Sequence, residues 1–229
     1  MIKDPPLLTI KLGFARPPAE LIERFRGVPT GYLVDAMGGR GCPGHMIQAL
    51  LADKAVLVGV AITCHAGPAD NLAVFGALDQ AESGDVIIAA TDGFTRTAVT
   101  GDLLLGMARN KGVAGFVTDG LVRDIQGIEA VGLPVYCAGV TPNSPARSGP
   151  GTVGFPVVLG DVAVHPGDIV VGDRDGVVVV PRLEAEAVLS RLPEIKAAEQ
   201  VLETKVRAGL EVPDFVRAVL QSDRTSYLD

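Results

Sequence analysis

Cysteine is scarce in this chain, and its arrangement excludes two common ways of stabilising a small fold. The chain has three cysteines, Cys42, Cys64 and Cys137, and no two of them form a C-x-x-C pair. A disulfide framework needs paired cysteines, and a structural zinc site needs closely spaced ligands. We therefore expect three reduced thiols with structural roles.

Long apolar runs are also missing. The longest stretches, such as residues 55–64 and 86–90, fall far below the roughly 20 residues that a membrane-spanning helix needs. The first residues include Lys3 and Asp4 followed by two prolines, and they lack the apolar core of a signal peptide. These absences predict a cytoplasmic protein without a membrane partner.

Positive charge is in short supply. The chain has 20 lysines and arginines against 27 aspartates and glutamates, a net charge of -7. Nucleic acids and anionic membranes are bound by a basic face. We therefore expect no nucleic-acid partner, although a small anion can still be bound locally.

Two classes of enzyme lack their usual signals. The glycine cluster at residues 38–44 follows no strand and precedes no suitably spaced helix, so it predicts a turn rather than a nucleotide-binding loop. A Schiff-base lysine must be desolvated in a pocket. The six lysines fall in the N-terminal arm, at element edges or on a polar helix, so none suits a Schiff base: Lys3, Lys11, Lys54, Lys111, Lys196 and Lys205.

The histidines show no metal-ligand spacing and are predicted to be structural: His45, His65 and His165.

What the chain does contain is typical of one globular α/β domain. Of its 229 residues 48% are hydrophobic, and 28 glycines with 16 prolines indicate many tight turns. We expect a single domain over residues 1–229 with an N-terminal arm at 1–15 and a C-terminal tail at 210–229. The apolar residues of that tail predict packing on a neighbouring subunit.

Hydrophobic periodicity predicts alternating helices and strands, followed by a β-rich region. Helices are predicted at residues 18–26, 30–37, 71–81, 102–111, 125–131 and 183–208, the last interrupted near Pro193. Strands are predicted at 56–64, 85–90, 113–117 and 134–138, with a polar loop at 92–100. Residues 85–118 form a strand–helix–strand unit, which predicts parallel strands with a right-handed crossover. Hairpin signals between 157 and 180 predict antiparallel or barrel-like pairing.

The helix at 102–111 and the strand after it organise the predicted site. A ten-residue helix is about 15 Å long, and six extended residues cover about 20 Å. The two lengths nearly cancel, so the helix N-terminus and the loop that carries Arg123 and Asp124 should lie at the same end of the domain. Parallel sheets bind ligands at the carboxyl ends of their strands, which is where this prediction puts the site.

These residues bring complementary chemistry together. A helix N-terminus can hold a carboxylate or a phosphate, and Arg123 adds a planar fork suited to a carboxylate. Asp102 and Asp124 offer hard oxygens that suit Mg²⁺ or Mn²⁺ better than zinc. Spacing alone leaves a simpler interpretation open, in which Asp102 is a first-turn acid and Arg123–Asp124 a solvated loop pair.

A resemblance to a known family favours the functional interpretation. Asp102, twenty intervening residues and then Arg123-Asp124 resemble the D-x20-R-D signature of the RraA-like family. The similarity also covers residues 28–30 with 35–36, 69–71, 101–104 and 170–181. It implies an α/β/α sandwich of the swivelling β/β/α type, with a β-rich C-terminal half and a long terminal helix.

The resemblance also implies an activity. Enzymes of this family are divalent-metal-dependent pyruvate aldolases acting on 4-hydroxy-4-methyl-2-oxoglutarate and 4-carboxy-4-hydroxy-2-oxoadipate, and oxaloacetate decarboxylation uses the same enolate stabilisation. Other members are non-catalytic regulators that bind ribonuclease E and inhibit RNA processing. Because those regulators lack the full acidic signature, Asp102 and Asp124 favour the enzyme.

Residue roles follow from the resemblance. Asp124 would hold Mg²⁺ or Mn²⁺, Arg123 would stabilise the enolate, and Asp102 would relay protons. Gly101, the amides of Leu103 and Leu104, and Asn71 would bind the oxo-acid substrate. Asp35 and Glu199 would approach the metal site through water or from a neighbouring subunit of a homotrimer or homohexamer, although both also fit ordinary solvated helical acids.

Overall fold

The computed structural model describes residues 4–228. Seven α-helices occur in this range: α1 Ala19–Glu23, α2 Thr30–Ala36, α3 Leu72–Gln80, α4 Asp102–Asn110, α5 Ile125–Val131, α6 Ala185–Arg207 and α7 Asp214–Leu220. The strands before the β-rich region are β1 Leu8–Ile10, β2 Gln48–Ala49, β3 Leu57–His65, β4 Asp85–Ala90, β5 Ala98–Thr100, β6 Gly115–Thr118, β7 Leu121–Val122, β8 Val135–Cys137 and β9 Gly139–Val140. The β-rich region adds β10 Gly151–Val153, β11 Val157–Leu159, β12 Val162–Val164, β13 Ile169–Gly172 and β14 Val177–Val180.

A nine-stranded mixed sheet forms the centre of the fold. Its main path runs β1-β10-β3-β4-β6-β8-β2, and β13 pairs with both β3 and β14. The strands β3, β4, β6 and β8 are mutually parallel, as the predicted strand–helix–strand unit requires. The hairpins β11–β12 and β13–β14 are antiparallel, which confirms the prediction from the turn signals.

The central strands are buried on both faces. Along β4, Ile87 and Ala89 pack into the cluster that includes side chains of α3, α4 and α5, whereas Val86 and Ile88 pack toward the β11–β12 hairpin. Successive strand residues point to opposite faces, so a strand covered on both sides must be apolar throughout. The sheet therefore provides a rigid support for the helix ends above it.

The other helical layer covers β13 and β14. Side chains of α2 and α6 form a third cluster with Ile169, Val171 and Val178. The predicted interruption of the last helix is wrong, because α6 runs through Pro193 without a break. Proline has no N–H group, so the helical carbonyl four residues before Pro193 loses its usual donor. Pro193 is exposed, so water can donate a hydrogen bond to that carbonyl instead.

A second, three-stranded sheet was not predicted. The strands β5, β7 and β9 pair in parallel, and β5 lies inside the stretch predicted to be a polar loop at 92–100. A strand is recognised in sequence by alternating apolar and polar residues, and two or three residues are too few to show this alternation. These strands are defined instead by their hydrogen bonds to one another. This small sheet aligns the residues of the site.

Both the predicted arm and the predicted tail contain regular structure. Residues 8–10 of the arm form β1, which pairs with β10, and the tail contains α7. Residues 1–3 of the arm and residue 229 of the tail lie outside the described residues. Within residues 4–228, no helix combines the length and apolarity needed to cross a membrane.

Candidate active site

The ends of β5 and β7 bring the two halves of the predicted site together. Thr100 is the register partner of Val122, and the Arg123 amide donates a 3.0 Å hydrogen bond to the Thr100 carbonyl. The next residues of each strand are therefore neighbours. Gly101-Asp102 at the start of α4 lies beside Arg123-Asp124 at the start of α5.

A cavity of about 170 Å³ opens at this point. It is lined by Asn71, Phe75, Thr100, Gly101, Asp102, Leu103, Leu104, Met107, Arg123, Asp124, Ser144, Pro145 and Arg147. Pockets for drug-sized ligands measure roughly 300–1,000 Å³, so this cavity suits a small metabolite. Other clefts are larger, at about 680, 660, 420 and 390 Å³, and none of them is lined by Asp102, Arg123 or Asp124.

Gly101 allows the arginine–aspartate pair to close against the helix. A Cβ at this position would lie 2.5 Å from Asp124 Oδ2 and 3.1 Å from Arg123 Cγ. Arg123 Nε donates a 2.8 Å hydrogen bond to Asp124 Oδ2, and Nη1 donates another to Ser144 Oγ. The guanidinium is thus held in place by two partners while remaining partly exposed to the cavity.

Asp124 adopts a backbone conformation that non-glycine residues seldom take. Its φ of 64° and ψ of 47° fall in the left-handed region, immediately before α5. Such a conformation costs of order 1 kcal/mol and is common at functional sites. The strained backbone turns the carboxylate toward Gly101 and the cavity.

The helix N-terminus offers one free donor where two were predicted. The Leu103 amide donates a 2.7 Å hydrogen bond to Oδ1 of its neighbour Asp102. Among the described residues, no protein group accepts a hydrogen bond from the Leu104 amide. The Leu104 amide is therefore the available anion donor, and Leu103 can serve only if Asp102 moves.

Asn71 provides the strongest indication of a missing ligand. Its Oδ1 is buried, and it is the one buried side-chain polar atom in residues 4–228 without a hydrogen-bond partner. Burying such an atom unpaired costs about 1–3 kcal/mol. Asn71 lines the same cavity as both aspartates, so this unsatisfied amide belongs to the wall of the candidate site.

Asp35 and Glu199 lie outside this cavity. Asp35 is exposed on α2 and Glu199 is exposed on α6, and these two helices pack on each other. A hydrogen bond to Glu199 raises the pKa of the Tyr32 phenol, so this glutamate reaches α2. Within one chain the structure does not bring either carboxylate to Asp124.

The residues present fit a weakly held magnesium ion. Asp102 and Asp124 supply two carboxylates, and Asn71 adds a neutral amide to the same cavity wall. No cluster of three or more histidine, cysteine, aspartate or glutamate residues suited to a metal occurs in the part of the chain that the structure describes. Mg²⁺ is commonly bound by one or two carboxylates with water and substrate oxygens, whereas zinc demands more protein ligands.

The sequence predicts no site residue in the loop that closes the cavity. Ser144, Pro145 and Arg147 line it, and so does Phe75 of α3. No motif marks these residues. The one available signal was an arginine in a segment of glycine, proline and serine, which is weak by itself.

The comparisons with known proteins agree with this architecture. Residues 30–179 match the RraA-like family, described as Aldolase/RraA. The chain belongs to the RraA-like family. The matched range begins at α2 and ends in β14, so it includes every strand end and helix start that forms the cavity.

The names of individual relatives of the RraA-like chain describe two different functions. It is 37% identical over 187 residues, 82% of this chain and 89% of the relative, to a Halalkalibacterium halodurans protein named "Putative 4-hydroxy-4-methyl-2-oxoglutarate aldolase". The structure of Streptomyces coelicolor RraAS2, described as an unusual member of the RNase ES inhibitor RraA protein family, matches with a TM-score of 0.73 and 28% identity. That match covers 83% of this chain and 100% of RraAS2.

A third relative has no described activity. The structure of an uncharacterized protein from Pseudomonas syringae matches with a TM-score of 0.74 and 26% identity, covering 86% of this chain and 96% of the other. These likenesses confirm the predicted mixed α/β fold with its long C-terminal helix.

Proposed function

We propose that this RraA-like chain is a divalent-metal-dependent pyruvate aldolase that cleaves a 4-hydroxy-2-oxo acid such as 4-hydroxy-4-methyl-2-oxoglutarate or 4-carboxy-4-hydroxy-2-oxoadipate. One observation carries the proposal. Asn71, whose buried Oδ1 has no partner among the described residues, lines one small cavity with two aspartates, an arginine and a helix N-terminus. This set matches an anionic substrate bound together with a hard cation.

Binding of the pyruvyl half follows from the donors. Its carboxylate would accept hydrogen bonds from the Leu104 amide, at the positive end of α4, and from Arg123. Mg²⁺ or Mn²⁺ held by Asp124 would act as a Lewis acid toward the oxygens of the pyruvyl group. Arg123 is oriented before the substrate arrives, because Asp124 and Ser144 already fix its guanidinium.

Cleavage then needs one base and one anion stabiliser. Asp102 accepts the proton of the C4 hydroxyl, the C3–C4 bond breaks, and C4 leaves as the carbonyl of a second oxo acid. The bond's electron pair passes to the pyruvyl half as an enolate, whose charge Arg123 offsets. Protonation of C3 gives pyruvate. Loss of CO₂ from oxaloacetate forms the same enolate, so we propose that decarboxylation accompanies aldol cleavage.

The test is pyruvate release from 4-hydroxy-4-methyl-2-oxoglutarate, 4-carboxy-4-hydroxy-2-oxoadipate and oxaloacetate, measured with Mg²⁺ and with a chelator. Turnover that depends on the metal would support the enolate chemistry and rank the substrates. Absence of turnover on all three, by folded protein with metal present, would overturn the aldolase proposal.

A homotrimer or homohexamer is part of the same proposal. Exposed apolar side chains on α7, such as Phe215 and Val219, provide surface for a neighbouring subunit. Asp35 and Glu199, which do not reach the cavity in one chain, would then approach the cavity of the next. Light scattering of the purified protein measures the state, and a monomer with full activity would contradict it.

Regulation of RNA processing is the second candidate, favoured by the match to RraAS2. The two functions predict different results. A regulator would bind a ribonuclease of the E type and slow RNA cleavage without releasing pyruvate from any substrate. Asp124→Asn should abolish the aldolase activity, but it should leave ribonuclease inhibition intact if that occurs on an outer surface.

A further inference from the structure

A second arginine lies at the cavity without a role in the chemistry above. Arg147 lines the cavity, and its guanidinium carbon lies 5.6 Å from the centre of the Phe75 ring. Within residues 4–228 no carboxylate forms an ion pair with Arg147, whereas Arg123 is paired with Asp124. Arg147 is therefore a positive charge at the cavity that has no ion-pair partner in the described part of the chain.

The backbone around Arg147 is fixed on both sides. The Ala146 amide donates to the Ala69 carbonyl at 2.7 Å, and the Ala146 carbonyl accepts from the Asn71 amide at 3.0 Å. After Arg147, the amides of Ser148 and Gly149 donate to Asp70 Oδ2 at 2.5 and 3.1 Å.

Asp70 connects this loop to the helix beside the cavity. Its carboxylate is buried, and Oδ1 accepts a 2.8 Å hydrogen bond from the Leu72 amide at the start of α3. Buried carboxylates with several amide donors form rigid junctions. Arg147 is thus presented from an anchored loop next to Asn71, although its side chain is exposed.

The surroundings suit a carboxylate more than a neutral group. Phe75 and Pro145 border the cavity, and apolar walls strengthen an ion pair by excluding water. The planar guanidinium accommodates two carboxylate oxygens at once, and the Phe75 ring face limits its orientations. A metabolite held by Arg123 at one end can meet Arg147 with an anionic group at the other.

We propose that Arg147 binds the carboxylate of the substrate that is remote from the pyruvyl group, and so selects 4-hydroxy-2-oxo acids that carry a second carboxylate. This inference rests on the proposed aldolase function and adds to it the residue that recognises the second carboxylate of the substrate. Arg123 then binds the pyruvyl half of the substrate, and Arg147 binds the half that leaves as the second oxo acid.

The experiment compares two substrates in wild type, Arg147→Gln and Arg147→Lys. 4-Hydroxy-4-methyl-2-oxoglutarate carries the remote carboxylate on C4. In 4-hydroxy-2-oxopentanoate a hydrogen atom replaces that carboxylate, and the rest of the molecule is the same. The quantity measured is the ratio of kcat/KM for the first substrate to kcat/KM for the second. We expect Arg147→Gln to lower this ratio roughly 10- to 100-fold, mainly through KM, since a charged hydrogen bond is lost. Arg147→Lys keeps the charge without the fork and should give an intermediate ratio.

Arg109→Gln is the matched control, because it removes an exposed arginine from the other end of α4. It should leave the ratio unchanged. Equal loss on both substrates, or no loss on either, in folded Arg147 variants would overturn the role of Arg147 while leaving the aldolase proposal intact. Failure of the wild type to release pyruvate from any substrate would instead remove the aldolase proposal itself, and this inference with it.

Discussion

Gly127 of α5 lies directly against the side chain of Asp102 on α4. A Cβ at Gly127 would stand 2.5 Å from Asp102 Cβ and 2.6 Å from its Cγ. Real Cβ atoms do not approach other carbons this closely, so the two helices can hold this spacing only with glycine at 127. The position of the proposed base thus depends on a residue that carries no functional group.

We predict that Gly127→Ala displaces Asp102 or separates the two helices. The expected result is a loss of about 1–3 kcal/mol in the free energy of unfolding, as for other overpacked sites, together with lower aldolase activity. Gly106→Ala on α4 is the control, since its Cβ would lie 3.7 Å from Val131 Cγ2, an ordinary contact. That change should be neutral or slightly stabilising, because alanine favours helix. Denaturant unfolding and pyruvate release measure both effects, and equal behaviour of the two variants would refute the prediction.

Asp124→Asn tests the proposed metal ligand with little disturbance of the backbone. Asparagine tolerates the left-handed conformation that this position requires, whereas alanine is strained there. We expect metal-dependent pyruvate release to fall on the order of 100-fold or more, with the thermal unfolding midpoint without metal unchanged.

Thermal unfolding with added Mg²⁺ gives a second readout for Asp124. A ligand that binds only the folded state raises the midpoint, so Mg²⁺ should stabilise the wild type and not Asp124→Asn. Asp53→Asn, on an exposed turn, serves as the control and should keep the wild-type response. Retention of the Mg²⁺ shift by Asp124→Asn would show that the ion binds elsewhere.

Asn71→Leu should separate stability from function. Leucine has a similar size and removes the unpartnered buried Oδ1, so without ligand the free energy of unfolding should stay within about 1 kcal/mol of the wild type or rise. Aldolase activity should nevertheless fall at least about 10-fold, because the polar amide of a residue that lines the cavity is gone. Thermal melts and kcat/KM test the pair of effects. A large loss of stability with unchanged activity would mean that Asn71 has a structural role instead.

The buried thiol of Cys64 predicts a loss of stability in alkaline solution. Burial in the core raises the pKa of Cys64, so the folded protein keeps a proton that the unfolded chain loses near pH 8.5. The stabilisation is complete below that pH and decreases above it, by about 1.4 kcal/mol per pH unit for one such group.

Denaturant unfolding between pH 7 and pH 10 measures this slope. Burial also raises the pKa of Cys137, so both thiols contribute in the same direction. Cys64→Ala should make the fall of the unfolding free energy with pH less steep, by the contribution of one thiol. Cys42→Ala removes an exposed side chain and should leave this pH dependence unchanged. Identical slopes for wild type and Cys64→Ala would show that the thiol does not contribute.

Sequence reasoning succeeds here where local pattern and packing agree. An amphipathic stripe followed by an apolar run predicts the helix at 102–111 and the strand at 113–117, and the structure has them at Asp102–Asn110 and Gly115–Thr118. Their near-equal lengths correctly put the start of α4 next to Arg123 and Asp124. These are relations between residues close together in the chain.

Features that depend on contacts between residues far apart in the chain could not be predicted from the sequence. The strands β5 and β7 are defined by their mutual register, and the orphaned oxygen of Asn71 is defined by what surrounds it. Arg147 gives no periodic signal, since its place at the cavity depends on hydrogen bonds to Ala69, Asn71 and Asp70. The roles assigned to Asp35 and Glu199 stay predictions, because they concern a neighbouring subunit.

The attachment of the cavity loop to Asp70 has an evolutionary consequence. Asp70 holds the segment through main-chain amides at Ser148 and Gly149, and not through any side chain of that segment. The residue at 147 can therefore change without weakening the attachment. A descendant of this protein could acquire a new substrate through one substitution at that position, while the machinery that stabilises the enolate stays as it is.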